Sequence, residues 1–388
     1  MARFKLRFQL MCGWALCLMS LIKCEQSKCL VVTDGEPDDM FSMILMAKSP
    51  HRKGICADGV IIILVWPTED KKKFIKLIFD TAGIDVTILN GANSRHSDKN
   101  QPFDKIYPES HKKIKEELIN ANIRFTILII APLRDLSMVL YDLERNRGAT
   151  FDNIRGIYWA GGWKPSTSRV SYNLFRDPEH TLQFMNVTAL EKKIHISSSR
   201  VSMYRGSMNE RSFPELIKKL SQLKESNALF KGLITIQEIW DKALKELLKG
   251  TELESITEHL GNGIQFCPAD ILATMLMFDP SLATKEEFMY YTVKVVKADP
   301  KANKVFNWDS MTVSVKSNDE RQAEKEIENQ RARIANGEKF HDYEILYQHQ
   351  LYTKIADHPQ QEKSTFKQKV ISWLEEYVPQ EQQTIRAQ

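Results

Sequence analysis

At 388 residues the chain is long enough for one large domain or two smaller ones around a sizeable core. Its 43% hydrophobic and 27% charged residues are those of an ordinary globular protein. A formal net charge of +4 is small for this length and gives no support to a nucleic-acid partner, which calls for a dense basic stripe.

The first segment stands apart. Arg3, Lys5 and Arg7 precede an uncharged, largely apolar run from Leu10 to Ile22, the pattern of a secretory signal peptide over residues 1–25. That run is short for a membrane-spanning helix. The expectation is therefore removal, secretion and no stable membrane insertion of the mature chain, the alternative being an uncleaved anchor. Cys12 and Cys17 fall in this leader. Cys24, Cys29, Cys56 and Cys267 are enough for one or two bridges. No CxxC pair is present, which argues against a zinc or thioredoxin-type site. Asn186-Val187-Thr188 is a glycosylation sequon.

Strand-like and helix-like segments then alternate. Cys29–Thr33 reads as a strand, and a helix follows to Ser49. Gly59–Trp66 is a second apolar, β-branched run. The next segment is amphipathic, with Thr68 as N-cap, Phe74, Ile75, Leu77 and Ile78 inward, and Gly83 near its stop. Strands are expected at Val86–Gly91, Arg124–Pro132 and Ile154–Gly162, with a helix over Leu133–Asn146. Two-sided apolar strands alternating with helices predict an α/β fold, a mostly parallel central sheet flanked by helices on both faces. From about Asn318 the composition turns charged and helix-favouring. Residues 318–388 are therefore expected to form a helical extension packed on a main domain of 26–317, with Val370, Ile371, Trp373 and Leu374 as an apolar stripe.

The junction between the first strand and its helix carries Asp34, Asp38 and Asp39 within six residues. Like charges 4 Å apart repel by about 4 kcal/mol at an effective dielectric of 20. Helix capping explains one or two of them; three on a hinge between apolar elements point to a bound cation or a shared proton. In parallel sheets this edge, outside the carboxyl ends of the strands, is where ligands sit.

The stretch VVTDGEPDDMFSMIL resembles the N-terminal signature of the nucleoside hydrolase family, D-x-D-x-G-x-D-D followed by an apolar helix. IIAPLRDLSMVL is similar to the family's G-P-L-T-N-x-A segment, YWAGG with SYNLFRDPEH to M-G-G and E-F-N-x-x-x-D-P-E, and PADILATMLMFDP to H-D-x-L-A followed by D-P. The similarity is collinear from Cys29 to Ser317. It implies an open Rossmann-type fold and a Ca²⁺ held by Asp34, Asp39, Asp270 and the carbonyl of Ile130. It further implies Asp34 as the general base on water, with Asp38 and Asn173 on ribose hydroxyls. An all-oxygen, carboxylate-rich set suits Ca²⁺ on its own chemistry. Trp66 and Trp163 could stack on the base, the alternative being ordinary packing.

Departures accompany the likeness. The family's first aspartate falls at Val32, its E-F-N glutamate at Ser171, its H-D histidine at Ala269, and its threonine-asparagine at Arg134-Asp135. No counterpart of the histidine-glycine segment after the third strand is visible, although His96 and His111 lie in that region. The resemblance implies a Ca²⁺-dependent hydrolase of the N-glycosidic bond of a ribonucleoside, or of a related glycoside, as a possible homo-oligomer. The alternative is a catalytically silent binding protein that keeps the metal and sugar pocket. The absence of GxGxxG and G-x-S-x-G sequences sets aside dehydrogenase and serine-hydrolase functions.

Overall fold

The computed structural model describes residues 26–93, 104–161, 163–164, 169–170, 173, 176–190, 193–198, 208–210, 212–249, 263–296, 310–317, 345–355 and 365–375. The leader lies outside these residues, as do Cys24, His96 and Ser171. Among the described residues no helix is long and apolar enough to cross a membrane.

In chain order the elements are β1 (Gln26–Thr33), α1 (Pro37–Lys48), α2 (Arg52–Ile55), β2 (Val60–Leu64), α3 (Glu69–Thr81), β3 (Val86–Asn90), α4 (Pro108–Leu118), β4 (Ile123–Ile129), α5 (Arg134–Arg147) and β5 (Ile154–Gly161). A two-residue pair, β6 (Trp163–Lys164) and β7 (Arg169–Val170), leads to α6 (Pro178–Met185) and β8 (Ile194–Ser198). Then come α7 (Pro214–Ser226), α8 (Ala228–Leu248), α9 (Pro268–Phe278), β9 (Ala283–Val296), β10 (Ser310–Ser317), β11 (Ile345–Ile355) and α10 (Thr365–Glu375).

Nine strands form one sheet in the order β10-β9-β11-β8-β5-β4-β1-β2-β3. The six from β8 to β3 run parallel, and β11 joins β8 in parallel. Only β9, against β11 and β10, is antiparallel. The mostly parallel α/β architecture is thus as the sequence indicates. Each central strand feeds both faces, because successive side chains point to opposite sides. Cys29 and Val31 enter one core with Phe41, Ile75, Phe79, Phe230 and Leu272. Leu30 and Val32 enter the other with Ile114, Leu136, Leu140 and Phe184.

Two local expectations need correction. Leu77 is 47% exposed, and Phe79 takes the inward place on α3 with Ile75 and Ile78. The helix begins as expected, with the Thr68 hydroxyl accepting from the Lys71 amide. The 318–388 segment carries a helix as expected but is not helical throughout: β11 inserts between β8 and β9. Its sequence, ILYQHQLYTKI, is rich in the β-branched and aromatic residues that suit a half-covered sheet. Among the described residues of this segment the helical part is α10, whose Phe366, Val370, Trp373 and Leu374 are buried in the first core. Trp373 meets Phe278 edge-on at 6.0 Å.

Cys29 and Cys56 form a disulfide with Cα atoms 5.0 Å apart, so residues 29–56 are a closed loop that contains all of α1. Cys267 is a thiol. Just past α6, the sequon's Asn186 has its side-chain nitrogen shut off from solvent.

Candidate metal and catalytic site

The carboxyl ends of β1, β2 and β4 lie side by side, and the acidic loop opens from the first of them. The turn out of β1 needs a left-handed residue, and Gly35 supplies it at φ +66°. Pro37 then starts α1, its fixed φ suiting the first helical position. Asp39 ties the loop together. One of its carboxylate oxygens accepts from the Thr33 hydroxyl at 2.5 Å and the Asp34 amide at 3.3 Å; the other accepts from the Glu36 amide at 3.3 Å. The Thr33 hydroxyl accepts in turn from the Gly35 amide at 3.1 Å. Asp34 and Asp39 are 3% and 1% exposed.

Asp270 arrives from far along the chain, in the first turn of α9, which packs against α1. One carboxyl oxygen from each of Asp38, Asp39 and Asp270 lies within 4.8 Å of the others. Asp34 is not in that triplet but stands close enough for its charge to act on all three. Burial, and then the charge of Asp34, raise Asp38 to about 7, against donors from the backbone and Asp270. Burial and the neighbouring aspartates push Asp39 and Asp270 well up. Burial, with Asp38 and Asp270 beside it, does the same to the Cys267 thiol at the N-cap of α9. Burial and neighbouring charge therefore disfavour ionisation of Asp38, Asp39 and Asp270 together. A compact, buried, all-oxygen donor set with this surplus of negative charge fits a hard divalent cation.

The other expected site residues are distributed as follows. Ile130, just past β4, donates its amide to the Val32 carbonyl at 2.9 Å, which puts it beside the start of the acidic loop. Asn173 is half-buried ahead of α6, and Trp163 lies in β6 against Val170. Trp66 follows β2 with a left-handed φ of +48° and is 3% exposed. It packs in the second core with the Arg176 guanidinium 5.3 Å from the ring centre. Ala269 is half-buried beside Asp270.

Two features escape the sequence. His111 Nε2 is 2.7 Å from Asp135 Oδ1, and Asp135 Oδ2 accepts from the Ala92 amide at 2.6 Å. This pair joins α4, α5 and the end of β3; an aspartate at the family's asparagine position was its one sequence signal. The second is Lys71, hidden in a run of lysines, whose ammonium reaches the Asp34 carbonyl at 2.6 Å.

No protein-family model matches the chain, and no curated protein matches its sequence. Among solved structures, an inosine-guanosine nucleoside hydrolase superposes with a TM-score of 0.57 at 12% identity, covering 91% of this chain and 100% of that one. An inosine-uridine preferring nucleoside hydrolase from Bacillus anthracis gives 0.49 at 13%, covering 90% and 100%. The type III effector protein XopQ, solved with adenosine diphosphate ribose, gives 0.46 at 14%, covering 68% and 84%. Of these three only the first is near enough to bear on the fold. The chain has a nucleoside hydrolase-like fold in a divergent form.

Proposed function

We propose that the protein is a Ca²⁺-dependent hydrolase of N-glycosidic bonds, acting on ribonucleosides or closely related glycosides. The observation that carries this is the meeting of Asp270 with Asp38 and Asp39 at the carboxyl edge of a nucleoside hydrolase-like sheet. Asp39 and Asp270 from that triplet, with Asp34 and the Ile130 carbonyl beside it, are the proposed ion ligands. Asp38, beside Asp39 and Asp270, is the proposed ribose-hydroxyl contact, as is Asn173. A Ca²⁺ held by these residues would supply Lewis acidity to a water and a positive charge for ribose hydroxyls. Asp34 takes the proton from the attacking water as its oxygen bonds to the anomeric carbon. The C–N bond breaks with its electron pair going to the base nitrogen, which then takes up a proton.

The Cys29–Cys56 bridge supports a secretory route, since such bonds persist in oxidising compartments. One observation favours the second proposal, a silent binding protein: Ala269, next to Asp270, offers no proton to a departing base. A panel of nucleosides assayed for base release, with chelator and with Ca²⁺ restored, separates the two. Release that stops with chelator and returns with Ca²⁺ is expected. Bound Ca²⁺ without hydrolysis of any nucleoside would replace the enzyme by the binder.

A further inference from the structure

We infer that Lys71 is a positioning residue for the acidic site, clamping the loop that carries Asp34 and Asp39 before any ion arrives. The ladder between β1 and β2 ends where the Val65 amide donates to the Thr33 carbonyl at 2.8 Å. Beyond that point each backbone passes through a left-handed residue, Gly35 at φ +66° and Trp66 at +48°. For a tryptophan this conformation is costly and persists only where its surroundings enforce it. The next carbonyls, those of Asp34 and Trp66, both face the Lys71 ammonium, at 2.6 and 3.4 Å. The lysine stem lies over the turn: a Cβ on Gly35 would stand 3.2 Å from Lys71 Cδ. The backbone of Lys71 is itself fixed, its amide donating to the Thr68 cap at 3.3 Å. One ammonium thus bridges the ends of two adjacent strands and sets the direction in which Asp34 leaves the sheet. Asp39 is bonded to the same loop through the Thr33 hydroxyl and the Asp34 and Glu36 amides, so the clamp acts on it too.

The consequence for ion binding rests on the functional proposal above; the clamp itself does not. Two readouts keep them apart. Lys71→Met keeps the stem over Gly35 and removes the ammonium, and Lys71→Arg restores a cation that can bridge two carbonyls. In ion-free protein, hydrogen exchange of the Asp34, Gly35 and Glu36 amides should quicken at least about tenfold in Lys71→Met and return toward the parent rate in Lys71→Arg. Calcium titrated calorimetrically should bind about tenfold more weakly to the methionine variant, again with recovery by arginine. Should Lys71→Met fail to fold, Lys71→Gln, with a neutral donor on a shorter stem, takes its place. Unchanged exchange at these three amides overturns the inference. So does faster exchange spread evenly over the molecule, or a loss that arginine does not recover. If the parent protein binds no Ca²⁺, the functional proposal fails, and the exchange result alone decides on the clamp.

Discussion

The two halves of the acidic site are built differently. Asp34, in the turn after β1, and Asp38 and Asp39, in the first turn of α1, lie within six residues, fixed by the Thr33 hydroxyl, three backbone amides and the Lys71 ammonium, and enclosed by the Cys29–Cys56 bridge. Asp270 stands on the first turn of a distant helix and reaches the loop only because α9 packs on α1. The loop half is held by polar bonds of its own. The helix half is held in place by apolar packing, and its carboxylate brings charge that its neighbours resist. The Asp39 carboxylate therefore serves the fold with or without an ion, whereas Asp270, on the proposed function, would serve the ion.

The largest effect expected is on turnover. Asp34→Asn keeps size and removes the proposed base, so hydrolysis should fall about 10²-fold or more. Bound Ca²⁺ is measured on the same samples, and full activity with the amide in place would remove Asp34 from its role. Next is the closed loop. Replacing both Cys29 and Cys56 by alanine should cost about 3.5 kcal/mol in a denaturant titration, the entropy that the unfolded chain regains when a loop of that length is opened. A loss of Ca²⁺ affinity along with it would show that loop order reaches the ion site; unchanged affinity would confine the bridge to stability.

The comparison itself is tested by a matched pair in chelator. Asp39→Asn leaves at least one of its three donors without its acceptor and should lose about 2 kcal/mol. Asp270→Asn removes one of several mutually repelling charges and should leave ion-free stability equal or higher. Both should weaken Ca²⁺. Equal losses of ion-free stability in the two variants would erase the distinction drawn here.

The smallest effect is on pH dependence. Without ion, Asp38 titrates near 7, and Asp39 and Asp270 are also raised. Between the unfolded carboxylate value of about 4 and these values the folded state binds more protons, so stability falls as pH rises through that window. Added Ca²⁺ displaces those protons, and its stabilisation should grow over the same range. Melting curves from pH 4.5 to 8 with chelator and with Ca²⁺ read this directly; stability that climbs with pH in chelator would contradict it.

The loop half was legible in sequence because its three aspartates are neighbours and their crowding is itself a signal. Asp270 could be reached only through resemblance to a family, since helix packing leaves no local mark. Lys71 had no signal, because a lysine in a lysine run looks like a solvated face. The central strands were plain from their apolar, β-branched runs, and Thr68 from its place before an amphipathic helix. Leu77 misled because the stripe of α3 faces one residue pair further on, toward Phe79. β11 was obscured by its charged surroundings, although Ile345, Tyr347, Tyr352 and Ile355 are residues that strands favour.

On the proposed secretory route, the buried amide nitrogen of Asn186 would set folding against glycosylation. An oligosaccharide attached there would occupy space that the packed region after α6 fills, so the finished fold and a glycan on that atom exclude each other. In a compartment that glycosylates emerging chains, molecules that close this region first escape the transferase and remain sugar-free at Asn186. Those caught earlier carry a permanent obstacle to completing it. On that route, occupancy at Asn186 would report how slowly a given chain folded.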